Sequence, residues 1–256
     1  VVFLCVYIGY NKTKISLLRA QTQDVSEIVN SSSFENLNYA VDSYLIRENR
    51  PRELPLLFRG NVMVGGNSGD TTCRASDASP ATPKSHEALQ TLLRSYFFED
   101  TEFLLAPYYN DTKSPQEIFF QMSRDAGVIC PTSRFARRFL ERDGNVFTYF
   151  FSYNATGPSV YHGGEIHCIF QNVSSSNQEE KSLCHIAGLD WSEFIRTHNP
   201  PYDSYPSSYR QYELDGKVET TNDLYDRIGM CRSLWDKYIA RGKVEESRVD
   251  SFGYIC

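Results

Sequence analysis

The sequence lacks several features that mark particular classes of protein. Its most apolar stretch, residues 1–10, is too short to cross a bilayer and has neither the basic start nor the small-residue cleavage site of a signal peptide. Positive charge is in the minority, with a formal net charge of -6, which gives no electrostatic reason to expect nucleic acid or an acidic lipid surface as a partner. Repeats and low-complexity linkers are also missing. We therefore expect one domain, or most of one, in these 256 residues.

The residues that are present indicate an exported glycoprotein. Seven cysteines without a single C-x-x-C pair favour disulfides over a cytosolic metal or redox site. Five glycosylation sequons lie at Asn11, Asn30, Asn110, Asn154 and Asn172. We therefore expect a secreted protein or one on the extracellular surface. Because no export signal is visible, we also expect this chain to be a piece of a longer product.

Helix and strand patterns alternate along the chain. A β-like run near 61–64 ends in the turn sequence GGNSGD, and "NVFTYFFSYN" (145–154) has the composition of a strand buried on both faces. Helices are predicted over 12–29, after Ser85 as N-cap, over 132–144 with Gly144 closing the end, over 183–197 and over 222–242. This alternation predicts an α/β fold with a mostly parallel central sheet flanked by helices.

The segment "SVYHGGEIHCIFQ" (159–171) is the first candidate for chemistry. His162, Glu165 and His167 stand at i, i+3 and i+5, and on a helix the last of these points well away from the first. The three side chains would therefore not converge as the ligands of an H-E-x-x-H motif do. We predict no metal site here and no cofactor.

Asp70 and His162 are the second candidate. Asp70 ends the GGNSGD turn after one predicted strand, and His162 follows the aromatic strand 92 residues later. A catalytic histidine needs a carboxylate on one ring nitrogen to fix its tautomer, while the other nitrogen takes a proton from the nucleophile. In α/β hydrolases the acid precedes the histidine in this way. The same residues also fit a turn-capping Asp70 and a helix-capping His162, and the pattern leaves both interpretations open.

Several ordered motifs resemble the C-terminal half of the type B carboxylesterase and cholinesterase family. "VMVGGNSGDTT" resembles the strand and acid loop of that family, and "DAGVICPTSRFARRF" resembles its Cys-Pro helix. "NVFTYFFSYN" and "SVYHGGEIHCIF" resemble its strand and histidine loop, and "WSEFIRTHNPP" and "IGMCRSLWDKY" its late helices. The resemblance implies that residues 1–256 are the C-terminal segment of a single α/β-hydrolase domain.

The resemblance also implies a carboxylic ester hydrolase that works through a Ser-His-Asp triad. Asp70 would be the acid and His162 the general base, with Glu165 beside it. The chain contains no G-x-S-x-G pentapeptide, so the serine and the oxyanion donors are expected in a missing or separate N-terminal half of the domain. That half and a small ester substrate are the expected partners, and this chain alone would not be catalytically complete. The alternative within the family is a non-catalytic adhesion, transport or ligand-binding glycoprotein.

The resemblance further implies a disulfide between Cys130 and Cys231. Cys168 and Cys184 are a candidate for a second, local pair. Because the number of cysteines is odd, at least one thiol is left free or bonded to another chain. Cys256 is the candidate for an intersubunit bond in a homo-oligomer.

Overall fold

The computed structural model describes residues 60–71, 82–140, 144–153, 160–174, 176–213, 216–221, 224–242 and 252. The helix predicted over 12–29 lies outside these residues. The strands are β1 (Val62–Asn67), β2 (Val146–Phe151), β3 (Tyr209–Tyr212) and β4 (Val218–Thr221). They form one mixed sheet in the order β1-β2-β3-β4, parallel from β1 to β3 and antiparallel between β3 and β4. The predicted α/β class is confirmed, whereas the β3–β4 hairpin was not predicted.

Helices flank this sheet. In the described part of the chain they are α1 (His86–Phe97), α2 (Thr101–Leu105), α3 (Pro115–Arg124), α4 (Cys130–Phe139), α5 (Ile166–Ile169), α6 (Gln178–Thr197), α7 (Leu224–Gly229) and α8 (Asp236–Ala240). A π-helical turn, Asp125–Ile129, joins α3 to α4, and a second one, Cys231–Trp235, precedes α8. No described helix is both long enough and apolar enough to span a membrane.

Local signals explain where several helices begin and end. The Ser85 hydroxyl accepts the Ala88 N–H at the start of α1, as predicted. The predicted closing role of Gly144 is wrong, because α4 ends at Phe139. A Cβ on Gly144 would lie 2.1 Å from the Gly60 carbonyl oxygen, so this glycine permits a close backbone approach instead.

The helix predicted over 222–242 is interrupted rather than continuous. It begins as α7, and Met230 then adopts a left-handed conformation with φ of 50°. The π-helical turn and α8 follow this break. A break of this kind cannot be read from apolar spacing, since the residues on both sides keep a helical pattern.

The core lies on both faces of the sheet, as the composition of β2 predicts. All six residues of β2 are buried, and Val146 and Phe150 pack into one apolar cluster with side chains of α1, α3, α4 and α8. Phe147, Tyr149 and Phe151 pack into a second cluster on the opposite face, against α6. Full burial of one such side chain stabilises a fold by about 1.5–3 kcal/mol. The two clusters therefore fix the carboxyl ends of β1 and β2, from which the site loops emerge.

Candidate active site

The acid loop leaves the carboxyl end of β1 and stays beside β2. The Ser68 N–H donates to the Phe151 carbonyl at 2.9 Å, and the Gly69 N–H donates to the Val160 carbonyl at 2.8 Å. The Asp70 side chain is fully buried and accepts the backbone N–H of Asn67. The turn-capping interpretation of Asp70 is therefore part of its role, because this bond closes the turn.

Glycine at position 66 makes room for this carboxylate. A Cβ there would lie 2.9 Å from Oδ2 of Asp70 and 3.0 Å from Cγ1 of Val128. Contacts this close would push the carboxylate out of its place. The second glycine of the turn sequence GGNSGD is thus required by packing around Asp70.

The histidine loop is pinned to the acid loop at its start. The Val160 N–H donates to the Ser68 hydroxyl at 2.9 Å, and Tyr161 forms a parallel bridge with Gly69. Gly163 then adopts φ of 75°, a left-handed conformation that glycine tolerates without strain. His162 therefore lies at the tip of a tight turn that faces the acid loop.

The structure brings the two predicted triad residues together. Nδ1 of His162 lies 3.2 Å from Oδ1 of Asp70, although the residues are 92 positions apart in the chain. The carboxylate is buried, whereas the His162 side chain is 56% exposed. This leaves the imidazole held at Nδ1 and accessible from solvent. Among the described residues, none is hydrogen-bonded to Nε2 of His162.

The electrostatics of this pair favour the protonated imidazole. The hydrogen bond that Nδ1 of His162 donates to the Asp70 carboxylate raises the pKa of His162 above its ordinary value, and partial burial opposes that shift. A histidine with one nitrogen on a carboxylate and the other open can take and return a proton at Nε2. The geometry is therefore that of a general base with its orienting acid.

Glu165 and Asn67 form a second buried layer behind this pair. The Asn67 side-chain amide donates to Oε2 of Glu165 and, at 3.2 Å, to the Tyr161 carbonyl. Within the described part of the chain, Oε1 of Glu165 has no hydrogen-bond partner. Burial raises the pKa of Glu165 above its ordinary value. Asn67 thus links both carboxylates, since its backbone N–H holds Asp70 and its side chain holds Glu165.

Asn67 was not singled out in the sequence. The sequence signal that could have indicated it is its position, three residues before Asp70 and at the end of a buried strand. An asparagine at such a place can hold one group with its backbone and another with its amide.

The three residues considered for a metal contact different partners. His162 pairs with Asp70, and Glu165 is buried against Asn67. Nδ1 of His167 lies 2.6 Å from the Gly164 carbonyl, and its Nε2 lies 3.1 Å from a carboxylate oxygen of Glu180. The three side chains therefore do not share a ligand position.

Two disulfides are present in the described residues. Cys130 is bonded to Cys231, which ties the start of α4 to the turn after α7. Cys168 is bonded to Cys184, which ties α5 to α6. Cys256, for which an intersubunit bond is predicted, lies outside the described residues, as do Cys5 and Cys73.

The sequons are partly described. Asn110 and Asn172 are exposed, whereas Asn11, Asn30 and Asn154 lie outside the described residues. Tyr205, in the loop before β3, and Tyr209, the first residue of β3, are buried and belong to the core. These tyrosines are therefore structural.

Comparison with known proteins gives the family. The profile of the "Carboxylesterase family" matches residues 6–229. An acetylcholinesterase from Bungarus fasciatus is 31% identical over 136 residues, which are 46% of this chain and 22% of that relative. The chain thus matches about a fifth of the length of this relative. Since the profile covers most of the sequence, the chain belongs to the carboxylesterase family.

Proposed function

We propose that this chain supplies the acid and the general base of a carboxylic ester hydrolase. The observation that carries the proposal is the contact between the exposed imidazole of His162 and the buried carboxylate of Asp70. Membership of the carboxylesterase family and the similarity to an acetylcholinesterase support it.

The proposed mechanism is acyl transfer in two steps. Nε2 of His162 takes the proton of a serine hydroxyl as the serine oxygen attacks the ester carbonyl. The imidazolium then protonates the leaving alcohol. In the second step the neutral imidazole takes a proton from the water that attacks the acyl-enzyme and returns it to the serine oxygen, as the bond from the acyl group to serine breaks and the carboxylic acid leaves. Asp70 holds the ring through Nδ1, and the Asn67 N–H keeps this carboxylate in place.

The serine and the oxyanion donors would come from an N-terminal part of the same domain. The 256 residues contain no G-x-S-x-G pentapeptide. Among the described residues, β1 pairs on one side only, with β2. The free side of this buried strand is a suitable place for a further strand of the N-terminal part. The shared sheet would then bring the serine to Nε2 of His162.

We also infer that the protein is exported. Two disulfides are typical of oxidising compartments, and the sequons at Asn110 and Asn172 lie on the surface where a glycan can be attached.

The function is tested by labelling with a fluorophosphonate, which reacts with an activated serine. We expect the protein, together with its N-terminal part, to be labelled. His162→Ala should abolish labelling, and Asp70→Asn should reduce it strongly. The exposed His185 on α6 provides a matched control, so His185→Ala should label like the wild type. If the folded protein were not labelled, the result would contradict the proposal. It would favour a non-catalytic adhesion, transport or ligand-binding glycoprotein.

A further inference from the structure

Behind the histidine loop, one imidazole lies against both sulfurs of a disulfide. Nε2 of His167 is 3.5 Å from Sγ of Cys168 and 3.9 Å from Sγ of Cys184. The same nitrogen is 3.1 Å from Oε1 of Glu180. We call these four residues the His167 cluster. Its imidazole and two sulfurs lie within 4.8 Å of one another, close enough to serve as ligands of one ion.

The surroundings of His167 fix which ring nitrogen faces the cluster. The Gly164 carbonyl, 2.6 Å from Nδ1, can only accept, so Nδ1 carries a hydrogen and donates it. Nε2 then faces a carboxylate oxygen of Glu180, which is also an acceptor. A metal ion placed between these two acceptors would be bound by both. A backbone carbonyl on the far nitrogen is the usual partner of a metal-binding histidine.

The donor set and spacing suit zinc once the sulfurs are separate thiolates. Zinc binds Cys sulfur at about 2.3 Å and His nitrogen at about 2.0 Å in a tetrahedron, which places a ligand nitrogen about 3.5 Å from a ligand sulfur. The two distances from His167 to the sulfurs are 3.5 and 3.9 Å. Zinc therefore needs only the sulfurs to move apart.

The scaffold presents these groups from two helices. Glu180 and Cys184 are four residues apart on α6 and share a face of it, and Cys168 lies on α5 beside His167. Both cysteines are buried, whereas the side chains of Glu180 and His167 are 13% and 40% exposed. An ion can therefore enter from the His167 side, and the buried sulfurs complete its shell.

We propose that reduction of the Cys168–Cys184 disulfide converts the His167 cluster into a zinc site. A dithiol supplies two electrons and two protons, the S–S bond breaks, two cysteine thiols form, and the dithiol becomes its cyclic disulfide. Zinc then binds the two thiolates, Nε2 of His167 and Glu180, with release of the thiol protons. Since α5 directly follows the turn that carries His162, either the disulfide or the metal holds this turn to α6.

Cobalt(II) provides the test, because it gives spectra that report thiolate ligands and tetrahedral geometry. The protein is reduced with dithiothreitol, the dithiothreitol is removed without oxygen, and Co²⁺ is titrated in. Alkylation of a separate portion maps the reduced cysteines. We expect one equivalent to bind with a thiolate charge-transfer band and tetrahedral d–d bands, and Zn²⁺ to displace it. The oxidised protein should not bind in this way. His167→Ala should weaken binding by about tenfold or more, and Glu180→Gln should weaken it by a smaller factor.

The Cys168→Ser/Cys184→Ser variant is the matched control, since it lacks the disulfide and the thiolates but keeps every other cysteine. Equal thiolate bands in this variant, or none in the folded reduced wild type, would overturn the proposal. If the reduced protein unfolds, Zn²⁺ added before reduction should preserve more of the circular dichroism in the wild type than in the Cys168→Ser/Cys184→Ser variant, and equal loss in both would also overturn the proposal. These measurements do not depend on esterase activity.

Discussion

At the residue scale, the contact between His162 and Asp70 predicts a defined pH dependence for the proposed ester hydrolysis. The proposed base must be neutral to take a proton, and the hydrogen bond that it donates to the Asp70 carboxylate raises the pKa of His162. As the solution is made more acidic, activity should therefore fall at a higher pH than it would with a histidine of ordinary pKa. Asp70→Asn removes this effect and the correct tautomer, so we expect kcat/KM to fall by about 10³–10⁴-fold and its acidic limb to move to lower pH.

The measurement is kcat/KM against pH for both proteins, with a small activated ester. An Asp70→Asn variant that keeps the acidic limb of the wild type would show that another group sets the protonation of the base.

Glu165 gives a second prediction at this scale, on stability. Burial raises the pKa of this carboxyl above the ordinary value of 4.5, so the folded state favours its protonated form. The free energy of unfolding therefore loses a contribution as the pH rises from the ordinary pKa through the raised one. Glu165→Gln keeps an acceptor for the Asn67 amide and has no charge to bury.

We expect the free energy of unfolding of Glu165→Gln, minus that of the wild type, to be more positive at pH 7 than at pH 4. Urea unfolding at the two pH values measures the difference. The opposite order would mean that the buried carboxylate is stabilised by partners that the described residues do not include.

At the element scale, Arg124 connects the end of α3 to the acid loop. Its guanidinium donates to the Ser68 carbonyl and to the Ile228 carbonyl, each at 3.2 Å, and it pairs with the buried carboxylate of Asp125 at 2.7 Å. Burial raises the pKa of Asp125 to about 6, even with this partner. Arg124→Ala would leave that carboxylate without its cation and release the acid loop from α3.

We expect Arg124→Ala to lower the free energy of unfolding by about 3–5 kcal/mol at neutral pH. Arg94→Ala is the matched control, because Arg94 pairs with Glu102 on the surface, with side chains 58% and 63% exposed. That change should cost under about 1 kcal/mol. Denaturant unfolding compares the two, and equal costs would mean that the Arg124 pair adds nothing beyond a surface pair.

At the scale of the whole molecule, the two disulfides close loops of different length. Cys130 and Cys231 are 101 positions apart, whereas Cys168 and Cys184 are 16 apart. In the chain-entropy model a longer loop restricts the unfolded chain more. Replacing the first pair by alanines should cost about 4.7 kcal/mol and replacing the second about 3 kcal/mol.

Each double-alanine variant is the control for the other, since all four cysteines are buried and equal numbers of atoms are removed. Calorimetric or denaturant unfolding gives the two losses. Equal losses would place the stabilisation in the folded state rather than in the entropy of the unfolded chain.

The sequence by itself determined the features that depend on neighbouring residues. An apolar and aromatic run of strand formers specified β2 as a strand buried on both faces, and the GGNSGD turn after β1 placed Asp70 at a strand end. Ser85 marked the start of α1 through a bond to a residue three positions away. Such features are local, because periodicity, turn chemistry and capping act within a few residues. The family motifs added the roles expected of Asp70 and His162.

Only the tertiary structure decided the contacts between distant parts of the chain. The hydrogen bond between Asn67 and Glu165 joins residues 98 positions apart. The short segment β3 is a strand because it pairs with β2 and β4. His167 meets the Cys168–Cys184 bond only because α5 packs on α6. These contacts are absent from any local pattern, since they form when two buried faces pack and every enclosed polar group needs a partner.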